Sequence, residues 1–217
     1  MFDFDNTLVA LEETVDWAAS RAELEPMLRQ AGCPEELFVR HPRGNLALYN
    51  EVLHQLQAGA FTPAIPAREL LERASNIIEF HELQGVDRAN PLPGAAPLLT
   101  ELAGKAAVVI VTSNSSRTVY RWLARARLVY TVRMVVGRDA LLPLKPDPDT
   151  LRYALDRARV SAGSAIFVGD SDADRKAAGA AGVRFVAIAR GRNPTGSKGV
   201  EAVFASPAEL LAQLRKN

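Results

Sequence analysis

The second half of the chain repeats one pattern: a short apolar run, a polar loop rich in Gly, Ser, Asp or Asn, and a segment with helical periodicity. The runs are Ala106 to Val111, Met134 to Val136, Ala165 to Val168 and Arg184 to Ala189, with Ala202 to Phe204 a weaker last candidate. The helical segments are Ser116 to Leu128, Pro148 to Arg159, Asp172 to Ala181 and, following Ser206, Pro207 to Arg215. Strands that alternate with helices in this way build βα units and a parallel sheet. The runs are continuous rather than alternating, as they are when helices cover both faces of a sheet. The pattern therefore predicts an α/β fold whose core is an open parallel Rossmann-like sheet.

Residues 11–88 break the pattern. They hold helical stretches separated by Gly and Pro, among them Asn45 to Gln57 and Ala67 to Gln84, and no convincing strand. Leu70, Leu71, Ala74, Ile77 and Ile78 share one face of the second stretch. This segment reads as an all-helical subdomain inserted into the core. Asn90-Pro91-Leu92-Pro93-Gly94 is a stiff connection leading back to a core helix over Ala95 to Ala103. The expected division is residues 1–10 with 89–217 as catalytic core, and 11–88 as a helical cap.

A chain of 217 residues is long enough for one core with such an insertion and short for two average domains. It carries 26 basic against 25 acidic residues, so its charge points to no polyanionic partner, and no nucleic acid is expected. Its longest uninterrupted apolar stretch, Ala106 to Val111, is far below the ~20 residues that span a bilayer, so no membrane is expected either. The single cysteine, Cys33, forms no internal disulfide, and no stretch resembles a signal peptide, which makes a cytoplasmic location the expectation.

Four places carry candidate chemistry. Asp3-Phe4-Asp5-Asn6-Thr7-Leu8 sets two carboxylates at i and i+2, on the same side of a strand end, ahead of a turn whose amides can face an anion. Alone, such a pair is also what a plain acidic turn looks like. Ile166-Phe167-Val168-Gly169-Asp170-Ser171-Asp172-Ala173-Asp174 is a strand, an acidic turn and a helix start. Asp170 falls where open α/β sheets bind ligands, and Asp174 lies a helical turn further on. Asp172 reads as a first-turn acid stabilised by the helix dipole. Thr112-Ser113-Asn114 ends an apolar strand with hydroxyl and amide groups, a neutral cradle for phosphate oxygens or, alternatively, a helix cap. Lys145 stands in the proline-stiffened loop Leu144-Lys145-Pro146-Asp147-Pro148.

In order and spacing these four places match the motif set of the haloacid dehalogenase superfamily, which the chain resembles over nearly its whole length. Asp3 and Asp5 match the first motif, Thr112 the second, Lys145 the third, and Asp170 with Asp174 the fourth. The helical insertion corresponds to a C1 cap, and phosphoglycolate phosphatase and its relatives are the nearest likeness in architecture.

The resemblance implies a magnesium-dependent phosphatase acting on a small phosphorylated metabolite. Asp3 is the implied nucleophile, forming an aspartyl-phosphate, and Asp5 the general acid and base. Mg2+ would be held by the Asp3 and Asp170 carboxylates and by the Asp5 main-chain carbonyl. Asn6, Thr112, Ser113 and Lys145 would bind the phosphate oxygens, and Asp174 would orient Lys145 or a metal-bound water. A sugar phosphomutase with the same nucleophile and a non-catalytic binder that keeps the fold are left open, as is monomer against homodimer.

Two departures stand out. The family normally has several apolar residues ahead of its first aspartate, whereas this chain has Met1 and Phe2, so the first strand is either very short or begins upstream. Asn6 stands where glycine is commoner, and asparagine tolerates left-handed backbone.

In the cap, Arg40-His41-Pro42-Arg43-Gly44-Asn45 is the most polar loop, and Arg43 is the candidate for a second anionic group of the substrate. His54 and His81 read as packed or surface residues. Arg117, Arg121 and Arg125 form an i, i+4 stripe, read as a solvated helix face. Gly191 to Lys198 superficially resembles a phosphate-binding P-loop, but its Ser and Lys are reversed and the following segment looks like a strand.

Overall fold

The structure, a computed structural model, describes residues 1–189 and 199–216. The P-loop-like segment Gly191 to Lys198 lies outside the described residues. The core strands are β1 (Val109–Val111), β2 (Met134–Val136), β3 (Ile166–Gly169), β4 (Arg184–Ile188) and β5 (Ala202–Phe204). β1 pairs with β2, β3 with β4, and β4 with β5, all parallel.

The start of the chain joins the two groups. Phe2 bridges Ile110 on one side and Val168 on the other. Its amide donates to Val109 O over 2.9 Å, and its carbonyl accepts from Val111 N over 2.8 Å. On the other edge, Asp3 N donates to Val168 O and Val168 N to Met1 O. The segment from Met1 to Asp3 is thus bonded on both sides and sits at the centre of the sheet. Below Met1 an apolar cavity of about 400 Å³ opens, lined by Phe2, Val109, Ile166 and Leu210 among others. β1 covers Val109–Val111 and not the whole apolar run from Ala106, its paired positions being those opposite Met134–Val136.

Successive side chains of the strands point to opposite faces. Ile110, Val168, Val186 and Ile188 pack under α5 (Ala95–Leu102), α6 (Ser116–Arg125) and α9 (Pro207–Leu214). Val109, Val111, Phe167, Phe185 and Ala187 pack under α7 (Asp149–Ala158) and α8 (Asp172–Ala181). Both faces are covered, so the runs are apolar at nearly every position. α6 stops three residues short of the expected Leu128, because Arg127 is left-handed (φ 56°) and Leu128 N turns back to Leu123 O.

Ahead of the core lie α1 (Trp17–Gln30), α2 (Glu35–Arg40), α3 (Asn45–Gln57) and α4 (Ala67–Val86). They bury an apolar cluster of their own, built around Leu24, Leu28, Leu48, Val52, Leu70 and Ile78. α4 runs out of that cluster, and its last residue, Val86, is buried in the cluster beneath the sheet. The arginine stripe of α6 is not simply solvated. Arg117 pairs with Glu79, and Arg121 and Arg125 with Asp87, so it holds α6 against α4 and the residue after it.

Candidate active site

The strands deliver their chemistry at one edge. Asp3 follows Phe2, Thr112 follows β1 and Asp170 follows β3, at the carboxyl ends of adjacent parallel strands where such sheets bind ligands. A cavity of about 300 Å³ at this edge is lined by Asp3, Asp5, Asn6, Thr112, Ser113, Asn114, Lys145, Asp170 and Ser171 from the core, and by Glu12 and Leu46 from the side of the helical insertion.

Lys145 organises the charges. Its Nζ donates to Asp3 Oδ1 over 2.5 Å and to Asp174 Oδ1 over 2.6 Å, with all three side chains nearly inaccessible. Burial alone would lower the Lys145 pKa, but the Asp174 and Asp3 carboxylates overcome that and hold it above its ordinary value. Asp174 is fixed in turn from the start of α8. Its Oδ2 accepts from Asp170 N, Ser171 N and Ser171 Oγ, while Ser171 Oγ accepts from Asp174 N, a reciprocal capping box. Gly169 makes room for this, since a Cβ there would lie 2.7 Å from the Asp174 carboxylate. Asp172 sits outside the cluster and pairs with Arg175 and Lys176, as a first-turn acid does.

Asp3, Asp170 and Asp174 bring carboxylate oxygens within 4.8 Å of one another. Both oxygens of Asp174 are already engaged by Lys145 and the capping box. Between Asp3 Oδ2 and Asp170 Oδ1 stands the buried hydroxyl of Thr7, 3.5 Å from each. Burial pushes Asp3 up to about 7, against the pull of Lys145, and burial with the nearby Asp174 pushes Asp170 up to about 7. The buried Asp3 and the half-buried Asp170 offer carboxylate oxygens close together, with Lys145 bonded to the other Asp3 oxygen, a donor set suited to a hard divalent cation.

Asp5 is held differently. Its Oδ1 accepts from Leu11 N over 2.8 Å and Glu12 N over 3.0 Å, and its carboxylate is not one of the three that gather within 4.8 Å. Burial raises its pKa to about 7, although the Glu12 amide works in the other direction. A carboxyl group raised into that range can exchange a proton near neutral pH. The turn that positions it has Asn6 in the left-handed region (φ 58°), with Asn6 Nδ2 donating to Glu12.

The structure therefore brings together Asp3, Asp5, Asn6, Thr112, Ser113, Lys145, Asp170 and Asp174. It does not bring in Arg43, which is exposed in the turn before α3 and does not line the cavity. The insertion contributes Leu46, three residues further along. Thr7, Glu12, Leu46 and Ser171 escaped the sequence reading.

A family model described as haloacid dehalogenase-like hydrolase matches residues 1–188. The chain belongs to the haloacid dehalogenase-like hydrolase family. Among its curated relatives, the phosphoglycolate phosphatase of Pseudomonas putida is 32% identical over 201 residues, covering 89% of this chain and 70% of that protein. The phosphoglycolate phosphatase of Pseudomonas fluorescens is 32% identical over 219 residues, covering 99% and 76%. Its haloacid dehalogenase-like relatives are thus named as enzymes that hydrolyse a phosphoric monoester.

Two solved structures share the fold. A hydrolase from Pseudomonas syringae aligns with a TM-score of 0.66 at 23% identity, covering 99% of this chain and 96% of that one. CbbY from Rhodobacter sphaeroides, in complex with phosphate, aligns with a TM-score of 0.63 at 21% identity, covering 99% and 97%. The parallel Rossmann-like sheet flanked by helices is the haloacid dehalogenase architecture. Among the described residues no helix is long and apolar enough to cross a membrane.

Proposed function

We propose that the protein is a magnesium-dependent phosphatase that hydrolyses a small phosphate monoester through an aspartyl-phosphate on Asp3. The observation that carries this reading is the setting of Asp3: buried at the centre of the sheet edge, with Lys145 on one oxygen, Asp170 facing the other, and Asp5 two residues on with a pKa near 7.

In this reading an Asp3 carboxylate oxygen attacks phosphorus while Asp5 protonates the leaving oxygen of the ester. Asp5, now ionised, takes a proton from the water that attacks the acyl phosphate, and Asp3 is released with inorganic phosphate. Lys145 neutralises the non-bridging oxygens, and Thr112, Ser113 and Asn6 line the cavity where those oxygens are held. Mg2+ bound by the Asp3 and Asp170 carboxylates and the Asp5 carbonyl supplies charge neutralisation on the phosphoryl group.

Residues 11–88 act as a cap that limits the size of the alcohol group. A cavity of about 300 Å³ suits a phosphoryl group with a few further heavy atoms, which favours a small metabolite. Phosphoglycolate, the compound in the names of the relatives, is the first candidate. The lone Cys33, buried and unpaired, suits a protein working in the cytosol.

The test is phosphate release from p-nitrophenyl phosphate and from a panel of phosphorylated metabolites, with and without Mg2+. Release should depend on the metal and vanish in Asp3→Asn and Asp5→Ala. Turnover persisting in a folded Asp3→Asn protein would overturn the reading.

A further inference from the structure

Behind the loop Thr112-Ser113-Asn114 lies a second buried charge cluster that the chemistry above does not use. Glu82, on α4, and Arg138, in the short 3-10 turn after β2, are both fully inaccessible. Arg138 Nη1 donates to Glu82 Oε1 over 2.8 Å and Nη2 to Oε2 over 3.3 Å. The same guanidinium donates to Ser113 O, and on the other side to Ser75 Oγ and Ser75 O of α4.

Glu82 is saturated from the core side. Oε1 accepts from Asn114 Nδ2, and Oε2 from Ser115 N and Thr118 Oγ1. A carboxylate only accepts, so Glu82 dictates which way the Asn114 amide points: Nδ2 towards α4 and Oδ1 towards the site. That oxygen accepts from Thr112 Oγ1 over 3.0 Å, and Thr112 Oγ1 accepts from Asn114 N over 3.1 Å. Arg138 N also donates to Asn114 O, and Gly137 lets the strands close up there, since a Cβ on it would lie 2.7 Å from that oxygen. The Asn114 side chain, the Ser113 carbonyl and, through Asn114, the Thr112 hydroxyl are thus tied to Glu82 or Arg138.

We propose that Glu82 and Arg138 are positioning residues that set the Thr112-Ser113-Asn114 loop for phosphate, and that they make the helix α4 of the insertion a working part of the phosphate site. The assignment rests on the phosphatase reading for what the loop binds. It does not rest on that reading for the loop's geometry. A pair kept only for stability could be exchanged for apolar side chains without changing the substrate and phosphate constants of the protein that remains folded, although the exchange strands the polar groups that the two side chains satisfy. A positioning pair cannot be exchanged in that way, since Asn114 and Ser113 O lose the groups that orient them.

The deciding comparison is between the parent, Glu82→Gln, and the double variant Glu82→Leu with Arg138→Met. The readouts are melting temperature, steady-state kinetics on p-nitrophenyl phosphate and inhibition by inorganic phosphate. Glu82→Gln should melt lower than the parent, and so should the double variant, because Asn114 Nδ2, Ser115 N, Thr118 Oγ1, Ser113 O and Ser75 O lose the partners that Glu82 and Arg138 supply. Both should raise KM and the inhibition constant for phosphate by about ten-fold to a hundred-fold, the usual scale for groups that orient a ligand-binding shell. A folded double variant with parental KM and phosphate inhibition would overturn the proposal.

If the double variant does not fold, Arg138→Lys keeps the charge but loses the forked contact to Glu82 and Ser113 O, and parental constants there would overturn it equally. If the parent itself hydrolyses no ester, the phosphatase reading fails by itself. Hydrogen exchange at the Asn114 amide, whose acceptor is Thr112 Oγ1 and not Glu82, then decides: faster exchange in the variants supports the positioning role, and unchanged exchange refutes it.

Discussion

Lys145 Nζ reaches Asp3 Oδ1 at 2.5 Å across 142 residues of chain, and that contact sets the charge state of the site. Lys145→Met leaves Asp3 and Asp174 facing each other without their cation. Breaking a buried pair by removing one partner costs about 3–5 kcal/mol, so the variant should melt several degrees below the parent. The loss should be smaller at pH 5 than at pH 8, because Asp3 can take up a proton in place of the missing charge. Differential scanning calorimetry at the two pH values tests this, and an equal loss at both would contradict it.

Asp3, Asp5 and Asp170 are each raised from 3.8 to about 7 in the folded protein without metal. The folded state therefore binds more protons than the unfolded chain between about pH 4 and pH 7. The contribution of these groups to stability is complete below the unfolded value and is lost as the pH rises through about 7. In EDTA the melting temperature should fall between pH 5 and pH 8. Added Mg2+ should raise it, and more strongly at pH 8, where the carboxylates are ionised. A metal-free protein whose melting temperature is flat across this range would refute the shifts.

Gly169→Ala tests the packing behind Lys145. The new Cβ would press on the Asp174 carboxylate at 2.7 Å, with Asp174 already fixed by its capping box. Overpacking of this kind costs about 1–3 kcal/mol. The expected outcome is a lower melting temperature together with a fall in kcat of at least about ten-fold, since Asp174 must move and Lys145 with it. A parental kcat in the folded variant would show that Lys145 does not depend on Asp174.

Selectivity among substrates should respond to Leu46 and not to Arg43. Leu46 lines the cavity, while Arg43 is exposed outside it. Leu46→Trp should change the ranking of kcat/KM over a panel of phosphate esters, and Arg43→Ala should leave every member within about two-fold of the parent. A substrate-selective loss in Arg43→Ala would reverse the assignment.

Part of what was legible in the sequence follows one physical rule. Thr112 and Asp170 each follow a continuous apolar run, with Asp174 one helical turn past Asp170, so a parallel sheet gathers them. Asp3, preceded by Met1 and Phe2 alone, and Lys145, in a loop well past Val136, were legible through the order and spacing of the motifs. Groups brought in by tertiary packing carried weaker signals. Glu82 continues the buried stripe of Leu71, Ser75 and Ile78 at helical spacing, and a carboxylate in that stripe was a sign of a buried partner that the sequence reading passed over. Arg138 sits in a turn with no periodicity to mark it. The stripe Arg117, Arg121 and Arg125 looked solvated because its partners, Glu79 and Asp87, belong to a distant helix and its end. Arg43 was singled out for the polarity of its loop, but polarity records exposure and says nothing of direction.

Leu144 is buried in the apolar cluster of α1–α4, one residue before Lys145, and its amide and carbonyl are both bonded to the Asn50 side chain of α3. The loop that carries the cation is thus rooted in the insertion as much as in the sheet. Recognition and catalysis are consequently not interchangeable parts in this protein. A chimaera that took its helices from a relative would uncover Leu144 and unfasten Lys145, unless residues 141–147 travelled with the graft.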